Sequence, residues 1–199
     1  MSEIIFEQKL PLGNFRVYND KPKLDNVIHV HQIHSADLIE YTGIEISHKQ
    51  VDGIYILQQN LEENFHFAIK TADCIPVVFL GDKGIAIIHA GWAGVRDKIL
   101  IHKNLKIIEP YFCFLGPSIQ LRAFEVKDDF FQHFAKSPNY HNIEGKLHFD
   151  LQSEAIQQIQ SVFPNIEIKN SQECTFEKQK YNSYRRDKTK RRNWNIFSI

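Results

Sequence analysis

Two apolar runs joined by a short turn constrain this sequence more than any other feature. Residues 75–80 read IPVVFL, residues 85–88 read IAII, and both runs are rich in β-branched side chains. The intervening residues, Gly81-Asp82-Lys83-Gly84, are typical of a turn. The pattern predicts a β-hairpin.

The register of this hairpin determines which polar side chains meet at its open end. If Leu80 pairs with Ile85, antiparallel pairing puts His89 opposite Pro76, and Cys74 then projects from the same face as His89. Such a diagonal pair is roughly 7–8 Å apart, close enough for a thiolate and an imidazole to bind one atom. A loop with an odd number of residues would break this parity, so the prediction depends on register.

Other residues at the open end support a chemical role. Asp73 precedes the thiol, and Gly91 and Gly94 flank Trp92 where the second strand is predicted to turn into a helix. Glycines at such a turn let the backbone approach a small ligand. We therefore expect the reactive site at this end of the hairpin.

The composition argues for one globular unit without a nucleic-acid or membrane partner. The 199 residues contain 24 lysines and arginines and 24 aspartates and glutamates, and no linker-like or low-complexity segment interrupts them. We expect a single domain over residues 1–199. The segment 178–192 is the one locally basic stretch.

The cysteine spacing and the lengths of the apolar runs indicate the cellular compartment. Three irregularly spaced cysteines do not make a disulfide framework, and the first ten residues, MSEIIFEQKL, lack the features of an export signal. No run approaches the ~20 apolar residues that span a bilayer. We expect a reducing, cytoplasmic setting, in which Cys74 persists as a thiolate or a metal ligand.

The rest of the chain mixes strands and helices. A helix is predicted over 95–108, a short one over 128–135, and a third from the N-cap Asp150 through Val162. Further strands are predicted at 3–8, 15–18, 27–30, 37–41, 53–57, 65–70, 111–115, 147–149, 166–168 and 194–199. Hairpin-length connections predominate, which predicts a mixed α/β or α+β domain.

Cys74 and His89 allow two chemical interpretations and one structural one. With His34 as a third ligand they would form a catalytic zinc site, which keeps three protein ligands and one open position. Alternatively, Cys74 is a nucleophile with His89 as its base and the glycine-rich turn as an oxyanion site. Spacing alone favours neither over a buried structural cysteine beside a hydrogen-bonded histidine.

The basic tail carries a pair of arginines, Arg185 and Arg186, within the sequence YNSYRRD. Arginine forks suit phosphate or carboxylate groups. The alternative is a solvated, basic edge strand that discourages association between sheets.

Several segments together resemble one known family. In chain order they are Gln32-Ile33-His34, Asp52-Gly53, Thr71-Ala72-Asp73-Cys74-Ile75-Pro76-Val77, His89-Ala90-Gly91-Trp92, Gly116-Pro117-Ser118-Ile119, Phe124-Glu125-Val126, Cys174-Thr175 and Ser183-Tyr184-Arg185-Arg186-Asp187. The ordered set resembles the YfiH-type proteins, long called polyphenol oxidoreductases or laccase-domain proteins and now assigned as purine nucleoside enzymes.

The resemblance implies a fold and an activity. The fold would be a four-layer α/β/β/α arrangement with mixed sheets. The activity would be cleavage of adenosine, inosine, guanosine and methylthioadenosine by phosphate, together with deamination of adenosine. A zinc ion, or less favourably copper, would be held by His34, Cys74 and His89.

For the reaction itself we hypothesise the following roles. Cys74, His89 and Asp73 would be catalytic, with Asp73 or Glu125 as the acid that moves protons. Gln32, Trp92, Arg185 and Arg186 would bind the nucleoside and phosphate.

The sequence departs from the family in its anion-binding residues. Ala93 stands where the family usually has an arginine after the Gly-Trp pair, and Arg96 lies about one helical turn further on. Gln120-Leu121-Arg122-Ala123-Phe124 and Thr189-Lys190-Arg191 also differ from the family pattern.

Other function classes stay open. They are a metal-free Cys-His hydrolase or deamidase, a copper-dependent phenol oxidase, and a non-catalytic binding domain. Multicopper sites need many histidines at paired spacings. A blue-copper site needs a weak axial ligand, often methionine, and Met1 is the only methionine in the sequence.

Overall fold

The computed structural model describes residues 2–199, which form two mixed sheets and a separate hairpin. The strands are β1 (Ile4–Leu10), β2 (Gly13–Tyr18), β3 (Val27–His29), β4 (Leu38–Glu40), β5 (Gly53–Leu57), β6 (His66–Thr71), β7 (Ile75–Gly81), β8 (Gly84–Ala90), β9 (Pro110–Leu115), β10 (Tyr140–Ile143), β11 (Lys146–Phe149), β12 (Glu167–Asn170) and β13 (Asn193–Ser198). The five-stranded sheet has the order β1-β2-β13-β6-β3, and the six-stranded sheet has the order β12-β9-β7-β8-β5-β4.

The predicted hairpin lies at the centre of the six-stranded sheet. Leu80 pairs with Ile85 and Pro76 pairs with His89, so the predicted register is confirmed. Both strands are buried throughout. Buried strands with two apolar faces explain why the sequence shows continuous apolar runs here instead of alternation.

Successive residues of the hairpin face two different cores. Val78, Leu80 and Ile87 pack against the five-stranded sheet, where they meet Phe15, Phe67 and Phe197 among others. Val77, Phe79 and Ile88 face the opposite side and pack against the helical segments. The hairpin is therefore held rigidly on both faces, which fixes the position of its open end.

The predicted helix over residues 95–108 is wrong in its conformation but right in its buried residues. The structure has a short helix, α1 (Trp92–Arg96), followed by 3-10 helices at Ile99–Ile101 and Lys103–Ile108. Lys98 adopts a left-handed backbone, and the His102 side chain accepts from the backbone N–H of Asn104, which starts a new turn. The apolar residues of the stripe are nevertheless all buried: Val95, Ile99, Leu100, Leu105 and Ile108.

The helix predicted after Asp150 is confirmed. Asp150 caps α2 (Leu151–Val162) by accepting from the backbone N–H of Ser153. The segment predicted as a helix over 128–135 is a 3-10 helix, Asp128–His133.

The basic tail does not form an edge strand. It contains α3 (Tyr184–Asp187), whose first turn is capped by Ser183 accepting from the backbone N–H of Arg186. This local cap favours a helical turn, so the edge-strand alternative is wrong.

The mixed α/β class is confirmed, with the two sheets packed face to face. Helical segments cover the outer face of the six-stranded sheet. On the outer face of the five-stranded sheet, the small cluster of Tyr18, Ala68 and Ile196 contains no helical residue, so a second outer helical layer is not seen within residues 2–199. None of the described helices has the length and apolarity to cross a membrane.

Candidate active site

Three side chains from separate parts of the chain meet at the open end of the β7–β8 hairpin. Cys74 precedes β7, His89 is near the end of β8, and His34 comes from the segment after β3. Their ligand atoms all lie within 4.8 Å of one another, and the two imidazole rings are 4.8 Å apart at an interplanar angle of 79°. Such a cluster can hold a metal ion.

The backbone around the cluster is specialised for this approach. His34 and Asp73 both have positive φ, 64° and 92°, which is uncommon for residues other than glycine. A Cβ atom at Gly91 would lie 3.1 Å from Cys74 Sγ and 3.3 Å from His34 Cδ2. Glycine at position 91 therefore leaves the room that the thiol and the imidazole need.

A buried carboxylate, Asp52, organises two of the three candidate ligands. Its Oδ1 atom is 2.7 Å from His89 Nδ1, and its oxygens accept from the backbone N–H groups of Ile33, His34 and Ser35 and from the Ser35 hydroxyl. Burial opposes ionisation of Asp52, but the hydrogen bond and charge of His89 and the bonds from Ser35 outweigh it and lower its pKa to about 2. Asp52 is thus ionised at neutral pH.

In the sequence, Asp52 is marked only by the Asp52-Gly53 pair of the family resemblance. The available signal was a carboxylate followed by glycine directly before an apolar strand. Its partners are 17–37 residues away along the chain, so only the fold reveals them.

The thiol and the buried imidazole form a charge pair. Burial alone would raise the pKa of Cys74, but the charge of His89 and hydrogen bonds from His34 and His89 lower it to about 6. Burial alone would lower the pKa of His89, but the Cys74 thiolate and the Asp52 carboxylate raise it to about 9. A thiolate at neutral pH is the form that both a metal ligand and a nucleophile require.

Asp73 connects the cluster to the C-terminal tail. Its Oδ1 accepts from the Thr175 hydroxyl at 2.7 Å, and its Oδ2 accepts from the backbone N–H of Arg185 at 2.7 Å. Both carboxylate oxygens are therefore engaged. The contact places the first turn of α3 beside the cluster.

The cluster opens into a pocket of about 730 Å3. One part of its lining is apolar and aromatic: Trp92, Ile119, Phe124 and Leu151. Another part is cationic: Lys70, Arg185, Lys188 and Arg192. Lys188 and Arg192 belong to the locally basic segment 178–192, whereas no sequence pattern marks Lys70, which the fold brings beside them.

The four predicted substrate-binding residues have different environments. Gln32, Trp92 and Arg185 line the pocket, but the Gln32 amide exchanges two hydrogen bonds of 2.8 Å with the backbone of Lys70. Arg186 is not in the lining, and its guanidinium donates to the carbonyls of Thr175, Phe176 and Tyr181. Arg186 therefore braces the tail in this structure.

Arg96 does not replace the family arginine at position 93. Its guanidinium donates to both carboxylate oxygens of Asp97 at 2.7 Å and lies over the Trp92 ring, outside the pocket lining. Glu125 is also outside the lining and pairs with Lys146 at 2.8 Å. Asp73 is the acidic residue of the lining.

Comparison with known proteins assigns the family. Residues 13–197 match the family model described as multi-copper polyphenol oxidoreductase laccase. The chain is 31% identical over 170 residues to the purine nucleoside phosphorylase YfiH of Escherichia coli, covering 79% of this chain and 68% of that protein. It belongs to the YfiH-type family.

Other relatives support the assignment. This YfiH-type chain is 30% identical over 194 residues to the purine nucleoside phosphorylase of Aquifex aeolicus, covering 92% of this chain and 88% of that protein. The solved structure of Bacillus licheniformis YfiH shares its fold, with a TM-score of 0.75 at 23% identity over 89% of this chain and 76% of that chain. Relatives named purine nucleoside phosphorylase support an enzyme of that kind.

Proposed function

We propose that this YfiH-type protein is a zinc-dependent purine nucleoside enzyme. It would cleave adenosine, inosine, guanosine and methylthioadenosine with phosphate and would also deaminate adenosine. One observation carries the proposal: the His34, Cys74 and His89 cluster opens into a pocket that offers an aromatic surface for a base and cations for phosphate.

The donor set fits zinc. Two imidazoles and a thiolate match the three protein ligands of a catalytic zinc site, and Asp52 holds Nδ1 of His89 in a hydrogen bond, so that Nε2 is the ring nitrogen that would release its proton to a metal. Blue-copper sites share this set but add a weak axial ligand, often methionine, and the only methionine is Met1. A bound zinc ion would supply a Lewis acid at the floor of the pocket.

Different parts of the pocket lining would bind the two substrates. Trp92 offers an aromatic surface against which a purine can pack, and Phe124, whose ring lies under the Arg185 guanidinium at 5.3 Å, extends that wall. Arg185 is our candidate phosphate ligand, because it lines the pocket and only Nη1 of its guanidinium has a protein acceptor among the described residues, the Glu125 carbonyl at 2.6 Å. Its remaining N–H groups can donate to phosphate oxygens.

Phosphorolysis places specific demands on these residues. A phosphate oxygen attacks the anomeric carbon, the bond from that carbon to the purine nitrogen breaks, and the base leaves with the electron pair and takes up a proton. Arg185 would hold the phosphate beside the sugar, and the aromatic wall would keep the base in place. The products are the free base and ribose 1-phosphate.

Deamination uses water in place of phosphate. Water adds to the purine carbon that bears the amino group, and ammonia leaves, so that adenosine becomes inosine. Asp73 is our candidate proton carrier, because it lies in the lining and is adjacent to Cys74. Its contacts with Thr175 and Arg185 give it a second role in positioning α3.

A second candidate function is a metal-free Cys-His hydrolase. The charge pair between Cys74 and His89 favours it, because an activated thiolate is what such enzymes use. A copper-dependent phenol oxidase has less support, because residues 2–199 contain a single cluster with three candidate ligands.

Product analysis separates these functions. The purified protein is incubated with adenosine, with and without phosphate, and the products are resolved by chromatography. We expect phosphate-dependent adenine, phosphate-independent inosine, and loss of both after chelation with recovery on adding zinc. Activity that survives chelators but is lost to iodoacetamide would support the hydrolase, and absence of both products would overturn the proposal.

A further inference from the structure

The pocket contains more positive charge than one phosphate group requires. Lys70, Arg185, Lys188 and Arg192 line it, and among residues 2–199 none of the four has a salt-bridge partner. The single acidic side chain of the lining, Asp73, already accepts one hydrogen bond on each oxygen. The chain as a whole has no excess charge, so this concentration is local.

The four cations come from two parts of the fold. Arg185 lies in α3, and Lys188 is the residue at which α3 ends. Lys188 Nζ lies over the Tyr184 ring at 5.2 Å. Lys70 is in β6, and Arg192 precedes β13, the strand that pairs with β6. Each part can therefore serve a different anionic group.

Lys70 is a partly buried cation that packs against an aromatic ring. It is half-buried, and its Nζ lies over the Trp194 ring at 5.6 Å. Burial lowers its pKa, and the charges of Lys21 and Arg192 lower it further. Clustered, partly desolvated cations are destabilising unless a negative group joins them.

We propose that Lys70 and Arg192 form a second anion site, for a phosphate group that the substrate itself carries, so that the pocket binds nucleoside monophosphates in preference to nucleosides. This deepens the proposed function and depends on it for the reaction. The charge balance supports it: the four cations less the Asp73 carboxylate leave about three positive charges, and a phosphate monoester carries about −1.5 to −2, so two phosphate groups match them. One phosphate would leave roughly one positive charge without a partner.

Calorimetry with adenosine and adenosine 5′-monophosphate tests the site. The zinc-loaded protein should bind the monophosphate at least about tenfold more tightly than adenosine, the effect of one charge-assisted hydrogen bond. Lys70→Met and Arg192→Gln should each reduce that preference by about tenfold. Lys21→Met is the matched control, because Lys21 also lies over the Trp194 ring, at 5.8 Å, but is outside the pocket lining. It should leave the preference unchanged.

The outcomes separate this site from the proposed function. Phosphate-dependent cleavage of adenosine without tighter binding of the monophosphate overturns the second anion site alone. Equal reductions of the preference by Lys70→Met and Lys21→Met would also overturn the site, because the general positive potential around the pocket would then explain the preference. Tight monophosphate binding that depends on Lys70, without any turnover of adenosine, supports the site and contradicts the proposed function. Binding of neither compound overturns both.

Discussion

Asp52 and His89 form a buried hydrogen bond of 2.7 Å between Oδ1 and Nδ1, across 37 residues of sequence. Because the carboxylate is ionised at neutral pH, it accepts from the Nδ1–H of His89, and Nε2 is the ring nitrogen that would release its proton to bind a metal. The same carboxylate accepts from the backbone N–H of His34 at 3.0 Å. One side chain thus orients two of the three candidate ligands.

Replacement of Asp52 should weaken metal binding. Asp52→Asn puts an N–H2 group where an acceptor is needed, so we expect zinc affinity to fall about 10–100-fold, as measured by competition with a chelating dye. We also expect the free energy of unfolding of the metal-free protein to fall by about 3 kcal/mol, because a buried network loses an acceptor. Asp37→Asn, on the loop that carries His34, is the control. Wild-type zinc affinity in Asp52→Asn would contradict the assigned role.

The ionisation of Cys74 should be visible in its reactivity. Since the pKa of this thiol is lowered from 9.0 to about 6, the thiolate predominates above pH 6 and is protonated below it. In metal-free protein, the rate of alkylation by iodoacetamide should rise through pH 6 and be nearly constant by pH 8. Zinc should protect the thiol. A rate that begins to rise only above pH 8 would show an ordinary thiol.

Two replacements of Asp73 distinguish its two proposed roles. Asparagine can keep both contacts, accepting from the Arg185 N–H and donating to the Thr175 hydroxyl, whereas alanine loses both. If positioning of α3 is the main role, Asp73→Ala raises KM for phosphate about tenfold and Asp73→Asn has near wild-type kinetics. If proton transfer is the main role, both variants lower kcat by about 100-fold. Equal, wild-type kinetics in both variants would exclude both roles.

A methyl group at position 91 should disturb the metal cluster. Gly91→Ala places a carbon 3.1 Å from Cys74 Sγ, so the thiol or the strand end must shift. We expect at least a tenfold loss of zinc affinity. Gly43→Ala is the control, because no atom lies within 4 Å of the added carbon there, although its φ of 88° makes that variant somewhat less stable. Unchanged zinc binding in Gly91→Ala would show that the cluster tolerates this shift.

Local sequence patterns predicted the parts of the site that depend on strand register. The pairing of Leu80 with Ile85 fixed the relation of Cys74 to His89, because alternation and turn length are properties of adjacent residues. The positions of Asp52 and Lys70 depend on strands distant in sequence, so no local pattern contained them. The helix predicted over 95–108 was wrong because Lys98 and His102 break the turn while the apolar stripe stays buried.

Metal content and adenine formation, measured on the same preparations of wild-type protein and Cys74→Ala, test the central claim most directly. We predict about one zinc ion per wild-type chain and phosphate-dependent release of adenine from adenosine. In Cys74→Ala we predict loss of both the zinc and the adenine. A Cys74→Ala protein that keeps its zinc and its activity would contradict the account, and one that keeps zinc while losing activity would replace it with a thiol nucleophile.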